Sequence, residues 1–468
     1  MPFNSFDDYP LSWRPDRRVL RRPIYLALAL QLEQDILSGY LAPETKLPPQ
    51  RELADFLDIN FTTVTRAYKL CELKGLIHAV PGSGTFVSSY AAQPATISVA
   101  QPTQQSVIDL GIVASFEQCN AMILETVRTV AEKTYLEQLF NYDHPTGMPH
   151  HKMAAINWMQ RFGVETDAEH TAIVSGTQNG LTLATFALFA PGDRVGVDTY
   201  TFANFIELAR MYRLHLVPIR GDEHGMLAEE LEKQCRLNGL QGVYLVPSCA
   251  NPTTVVMDES RKRELAKVIS AHRLLLIEDD THAFLTSGIL SGYEGPLTRL
   301  VPERSVYLCG TSKSICSGAR VAYMVYSDLL KEAVLKAIYN VNVKTSALDA
   351  EIITELILSG MAAKIVQEKR RCAEKANRLF YDIFPGQKRI GHPLSFYRWL
   401  PIQSKKPGIE VEQGFLQLGI RVYHSDRFLC GPPQEQRFLR IALATAANFP
   451  QLNQGLRIVR QGIEQASI

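Results

Sequence analysis

The sequence predicts an α/β fold: a small N-terminal unit of three helices and a β-hairpin, then a large domain on a mostly parallel, seven-stranded sheet. Three observations carry that expectation. Residues 23–88 hold three stretches with apolar side chains at helical spacing, followed by two strand-like runs around Pro81-Gly-Ser-Gly84. Residues 108–468 hold seven short apolar runs separated by helix-length segments, the pattern of crossover connections and of a sheet covered on both faces. Between them, Ser88–Ser106 has no charge, two prolines and no helical period, which suits a flexible linker. The expected boundaries are an arm over 1–22, the small unit over 23–88, a linker over 89–107 and the large domain over 108–468.

Composition narrows the class. A chain of 468 residues should hold about two or three domains. With 46% hydrophobic and 21% charged residues it reads as an ordinary globular protein. No run of eighteen apolar residues occurs, so no membrane span is expected, and Met1–Asp8 lacks the basic and apolar regions of a signal peptide. Eight cysteines are scattered, the closest pair being Cys309 and Cys316, so neither a zinc site nor a disulfide framework is expected. These features point to a reduced, cytoplasmic protein without a metal. Net charge is only +1, yet Arg14, Arg17, Arg18, Arg21 and Arg22 fall within nine residues. Such an arm is either solvated or a contact for nucleic acid.

In the small unit, Tyr25, Leu28, Ala29, Leu32 and Ile36 follow the spacing of an amphipathic helix, which Gly39 stops. A second helix, Pro48–Leu57, opens with proline, tolerated in a first turn. Asn60 caps a third, with Val64, Ala67, Tyr68 and Cys71 on its apolar face and Gly75 at its end. Thr62, Thr63, Thr65, Arg66 and Lys69 lie mostly on the polar side. Leu76–Val80 and Thr85–Ser88 then read as strands joined by a tight turn, which completes a winged helix-turn-helix.

Lys46-Leu-Pro-Pro-Gln-Arg-Glu-Leu-Ala54, Thr63-Val-Thr-Arg-Ala-Tyr68 and Pro81-Gly-Ser-Gly-Thr-Phe-Val87 resemble the GntR family of bacterial regulators across residues 23–88. The resemblance implies that Arg51 and the start of the third helix meet operator DNA, with Gly82, Ser83 and Gly84 at the wing tip near the minor groove. Thr62, Thr63, Thr65 and Arg66 would then supply phosphate and base-edge bonds from the major groove. Phe61 stands where the family often has arginine; it either touches thymine methyls or packs inward. Arg51 has a rival reading as a surface ion pair with Asp55.

The large domain's strand candidates are Ala172–Ser175, Val195–Asp198, Leu214–Ile219, Val243–Pro247, Leu274–Glu278, Val306–Cys309 and Val321–Tyr326. In open parallel sheets ligands bind at the carboxyl ends of strands. Asn251, Asp279 and Lys313 all follow strand candidates, and Arg320 closes the loop that carries Lys313. That order suits pyridoxal phosphate (PLP): lysine for the aldehyde, aspartate for the pyridinium nitrogen, asparagine for the ring oxygen and arginine for the phosphate.

Residues 108–468 resemble fold-type I aminotransferases, and a GntR unit fused to that fold resembles the MocR subfamily. On that resemblance, Gly176, Thr177 and Gln178 form a phosphate loop at a helix N-terminus. Tyr200 stacks on the cofactor, and Tyr142 reaches the phosphate from a neighbouring subunit, which implies a homodimer. Arg440, in Phe438-Leu-Arg-Ile-Ala-Leu-Ala444, grips an effector carboxylate or else sits in a buried ion pair.

The departures concern chemistry. Thr281 and His282 stand where a tyrosine normally bonds the ring oxygen, and His282 either substitutes as a donor or points away. Gly310 occupies a shortened lysine loop where a hydroxyl residue often holds phosphate, and the commoner Leu-Arg pair is His151-Lys152. Asn-Pro-Thr-Gly becomes Asn251-Pro-Thr-Thr254. The expectation is therefore a regulator that senses PLP or a small amine or amino acid as an aldimine, with little or no turnover. The alternative is an active aminotransferase with an accessory DNA-binding unit.

Overall fold

The computed structural model describes residues 11–37, 40–42, 45–73, 76–80, 82–88 and 107–464. The stops expected at Gly39 and Gly75, the turn residue Pro81 and residues 89–106 of the linker expected over 89–107 lie outside those residues. The chain divides into a unit over Met1–Ala95 and a larger one over Thr96–Ile468.

In the first unit, α1 spans Ile24–Leu37, α2 Gln50–Leu57 and α3 Phe61–Leu73. Leu28, Ala29, Leu32 and Ile36 of α1 are buried against Leu53, Ala54 and Leu57 of α2 and Val64, Ala67, Tyr68 and Cys71 of α3. Helix α2 starts two residues later than expected, because Pro49 sits at the cap with extended dihedrals. Asn60 Oδ1 accepts from the Thr62 amide at 2.8 Å and so satisfies one orphan donor at the start of α3. Strands β1 (Ile77–Val80) and β2 (Gly84–Val87) pair antiparallel as the wing. Part of the arginine-rich segment joins this core: Trp13 is 1% exposed, and its indole donates to Asp35 Oδ2 at 2.7 Å. Arg17 pairs with Asp58 at 2.9 Å, and Arg18 with Asp16.

The larger unit holds the expected seven strands: β3 (Thr171–Val174), β4 (Arg194–Asp198), β5 (His215–Ile219), β6 (Gly242–Leu245), β7 (Leu275–Asp279), β8 (Ser305–Gly310) and β9 (Ala322–Tyr326). They lie in the order β3-β9-β8-β7-β6-β4-β5, and β9 alone of the seven runs against its neighbours. Every residue of β3, β6 and β8 is buried, which is why these strands read as continuous apolar runs rather than alternating ones. A second antiparallel sheet forms from β10 (Tyr397–Ile402), β11 (Tyr423–His424) and β12 (Arg437–Ala442). Four helices matter below: α4 (Pro149–Gln160), α5 (Thr177–Leu188), α6 (Ala347–Leu358) and α7 (Met361–Ile383).

The parallel register sets the site. Leu245 faces Glu278, and Asp279 faces Leu308, so β6, β7 and β8 end side by side. Asp279 ends β7 at that shared edge, and the loops that carry Asn251 and Lys313 leave from it.

Candidate functional site

A cavity of about 430 Å³ opens at the carboxyl ends of β6, β7 and β8. Of the residues singled out in sequence, Thr177, Gln178, Asn251, Asp279, Thr281, His282, Lys313, Arg320 and Arg440 line it.

Lys313 is held by its loop. The Thr311 hydroxyl donates to Val321 O at 2.7 Å, and the Ile315 amide donates back to Thr311 O at 2.8 Å. Lys369 of α7 donates to Ile315 O at 2.8 Å and to Lys313 O at 3.2 Å, pinning the loop from below. Lys313 Nζ itself donates to Val113 O. Burial, with the nearby charges of Arg440, Lys369 and Arg320, pulls the Lys313 amine down to about 8. Near neutral pH a fraction of it is therefore an uncharged nucleophile.

Asp279 is buried at the end of β7. Its Oδ1 accepts from the Thr281 hydroxyl at 2.7 Å, and its Oδ2 accepts from Tyr244 at 3.2 Å. Burial raises its carboxyl above the ordinary range, opposed by the bonds from Thr281 and Tyr244. Asp280 is outside the lining; Tyr307 donates to it at 3.1 Å.

Thr281 was read in sequence only as a missing tyrosine. Here its hydroxyl lies 3.1 Å from that of Thr177, so it links the aspartate to the first turn of α5. Gly310 makes room for that link: a Cβ there would stand 2.4 Å from Thr177 Oγ1 and 3.1 Å from Thr281 Oγ1. Gly176 has a comparable reason. It adopts φ +84°, and a Cβ would meet Arg320 Nη2 at 2.6 Å.

Arg320 Nη1 also donates to Ser312 Oγ at 3.0 Å, so guanidinium, hydroxyl and the α5 N-terminus share one end of the cavity. Arg440 is fully buried. Its Nη1 donates to Asn251 Oδ1 at 2.9 Å and its Nη2 to Gly111 O at 2.6 Å, with the guanidinium 4.6 Å from the Phe428 ring centre. Its bonded partners are an amide and a carbonyl rather than a carboxylate, and burial pulls it down to about 10. The bond uses the acceptor end of Asn251, which leaves the donor end for a ligand oxygen.

His282 lies beside Tyr397, with ring centres 5.7 Å apart, and neither ring nitrogen has a partner. Burial, then the Lys313 charge, pushes it down to about 3, so the imidazole is neutral. Gln178 Oε1 is likewise buried and unpartnered.

Gly176, Tyr200 and Tyr142 are outside the lining; Gly176 stands against Arg320, and Tyr142 is expected to act only from a neighbouring subunit. The Tyr200 ring packs 5.3 Å from Trp399 and 6.0 Å from Phe438, and the residue's backbone bridges to Leu429. That bridge turns the side chain toward the second sheet. The aromatic rings at the cavity are instead Phe202 and Tyr397. Tyr142 is 85% exposed and outside the cavity of its own chain.

The residues fit PLP. The lining carries three cationic side chains, Lys313, Arg320 and Arg440, against one carboxylate, Asp279, and so favours an anion. The phosphate would take Arg320, Ser312 and the start of α5; the pyridine nitrogen would take Asp279; and the orphaned His282 and Gln178 atoms wait for polar partners.

On the winged helix, Arg51 is exposed beside Phe61, its guanidinium 5.8 Å from the ring centre; Phe61 is 42% exposed and so does not pack inward. Arg66 covers the Tyr25 ring at 4.1 Å. Thr62 bonds Asn60, and Thr63 is half-buried beside it. Thr65 donates to Gln50 Oε1 at 2.8 Å and is therefore turned toward α2. Gly82, Ser83 and Gly84 form the exposed wing tip, with Gly82 at φ +77°.

Comparisons agree with both halves. Residues 24–87 match the bacterial regulatory proteins of the gntR family, and residues 106–454 match the class I and II aminotransferases. YdeF of Bacillus subtilis, an uncharacterized HTH-type transcriptional regulator, is 35% identical over 98% of this chain and 99% of its own. The probable rhizopine catabolism regulatory protein MocR of Rhizobium meliloti is 23% identical over 84% of this chain and 82% of its own. Among solved structures, the kynurenine aminotransferase of Pyrococcus horikoshii superposes with a TM-score of 0.70 at 19% identity, covering 78% of this chain and 92% of that one. The chain belongs to the GntR-type transcription regulators of the MocR subfamily, in which a winged helix is fused to an aminotransferase-like, PLP-type domain.

Proposed function

We propose that this regulator binds its operator through Arg51, Arg66 and the wing, and that a small amine or amino acid controls it through PLP held at Lys313. The carrying observation is the meeting of Lys313, Asp279 and Arg320 in one cavity of a chain that also carries a winged helix. When bound, PLP supplies an aldehyde that captures amines covalently. Lys313 offers the amine that retains it, Asp279 holds the ring nitrogen and Arg320 with Ser312 holds the phosphate. Arg440, already aligned by Asn251 and Gly111, would take a carboxylate if the effector has one. A homodimer, with Tyr142 reaching the partner's phosphate end, and work in the cytoplasm complete the reading.

An effector shifts operator affinity only by its differential binding to two states of the protein, typically ~1–3 kcal/mol or roughly 5–150-fold. The test is operator affinity, on fragments of the protein's own promoter region, with and without PLP and a panel of amino acids and amines. One or more should change the affinity within that range. Affinity unmoved by PLP and by every amine would overturn the sensing role.

The second reading, an active aminotransferase, is favoured by Lys313 sharing one cavity with Asp279, its amine lowered by burial toward a general base's range. Against it, neutral His282 with unpartnered nitrogens stands in the tyrosine's place. Keto acid release assayed beside DNA binding decides between them, and steady multiple turnover would promote the enzyme.

A further inference from the structure

Outside the cofactor cavity, Glu351 of α6 is fully buried and gathers four side chains. Its Oε1 accepts from Lys133 Nζ at 2.7 Å and from the Tyr135 hydroxyl at 2.9 Å. Its Oε2 lies 2.6 Å from His150 Nε2 and 2.7 Å from His151 Nε2. Lys133 also reaches Glu355 at 2.7 Å. Two carboxylates face one bonded ammonium here, and a further cation, Lys344, lies near enough to act on His151.

The two histidines are neighbours in the first turn of α4, where successive side chains ordinarily diverge by about 100°. Yet both rings, with centres 4.2 Å apart, turn to the same carboxylate oxygen. Among the described residues, one ring nitrogen of each histidine and one Glu351 carboxylate oxygen lie within 4.8 Å of one another. His151 is buried and its Nδ1 has no partner, whereas the His150 side chain is 38% exposed and leaves one side open to water.

Two imidazole nitrogens and one carboxylate oxygen, with room for a water, form a ligand set for zinc-like ions. Tetrahedral donors at zinc bond lengths stand about 3.3 Å apart, so the nitrogens must withdraw from Oε2 by roughly 0.6 Å. Half-exposed His150 has the freedom for that shift. Lys133 and Tyr135 occupy Oε1 only, so Oε2 stays available. Metal binding needs both Nε2 atoms free of protons.

We propose that His150 Nε2, His151 Nε2 and Glu351 Oε2 bind one divalent transition-metal ion of the zinc class, clamping α4 to α6 at a site separate from the cofactor cavity. The cysteine-based expectation of a metal-free chain missed it because no cysteine takes part. The motif is a histidine pair whose third ligand lies about two hundred residues downstream.

The test titrates Zn²⁺ into the full-length, PLP-loaded protein, freed of excess PLP, by calorimetry and by thermal denaturation. Wild type should take up one equivalent per chain at micromolar metal and melt at a higher temperature with it. H150A and H151L should each weaken binding about tenfold or more and lose the thermal shift, since even loss of an outer-shell partner costs roughly 10–100-fold. H215A, at an exposed histidine on β5, should match wild type. Should H151L fold poorly, judged by its PLP content and metal-free melting, half-exposed H150A decides alone. Absence of saturable binding, or binding undiminished in H150A, overturns the site; the latter would assign the metal to the thiols or other histidines.

Discussion

Replacing Asp279 by asparagine removes one charge with almost no change in volume. In the structure its Oδ1 takes the Thr281 hydroxyl at 2.7 Å and its Oδ2 takes Tyr244 at 3.2 Å. An asparagine carbonyl keeps the Thr281 bond, and the Tyr244 hydroxyl can turn to accept from the new amide. The surrounding network survives, so the loss isolates the ionised partner of the pyridinium nitrogen. Such charge-assisted bonds contribute ~1.5–3 kcal/mol, and at ~1.4 kcal/mol per decade D279N should weaken PLP binding by about ten- to a hundredfold. D280N should change little, because Asp280 bonds Tyr307 and stays out of the cavity. The pH dependence has a definite sign. Burial raises the Asp279 carboxyl, so falling pH protonates it and PLP affinity falls with it; D279N should lack that dependence. The assay is equilibrium PLP titration of the stripped proteins, followed by absorbance, with melting of each stripped variant as a folding control. Wild-type affinity in D279N, or a larger loss in D280N, refutes the assignment.

K313A should leave no borohydride-fixed PLP on the chain. In wild type the rate of that attachment should climb as pH approaches about 8 and then level, well below a free lysine's range; a rate still climbing to pH 10 denies the lowered amine. G310S should weaken PLP binding, although it restores a hydroxyl, because its Cβ would press on Thr177 Oγ1 at 2.4 Å; unchanged or tighter binding would show that the loop yields. R51A and R66A should each weaken operator binding. A phosphate contact would lower the salt slope by about one and affect all sequences alike, whereas a base contact would relax specificity. R66A also uncovers Tyr25, so its melting temperature must be read beside its affinity; wild-type DNA binding in both variants would count against this face.

The sequence by itself determined what repeats locally. Helical spacing in α1 and α3, the Asn60 cap and the seven apolar runs all depend on near neighbours, and all seven strands lie in one sheet. Asp279 at the end of β7, and Asn251 and Lys313 after β6 and β8, were legible for the same reason, since strand ends in a parallel sheet share an edge. Only the tertiary structure decided what depends on distant partners. Tyr200 turned to Trp399 and Phe438 because its backbone bridges to Leu429, more than two hundred residues on. Thr281 looked like a loss until it stood between Asp279 and Thr177, and Gly310 looked like one until its missing Cβ proved to be their space. Trp13 lay among arginines that suggested a solvated arm, yet it closes a core with α1. Gly111 and Val113 reach Arg440 and Lys313 because the short strand Ile108–Asp109 pairs with Ile420–Arg421. Periodicity reports which face a residue presents, but a hydrogen bond or a close packing contact is set by whichever side chain the fold brings opposite, and that information is not local.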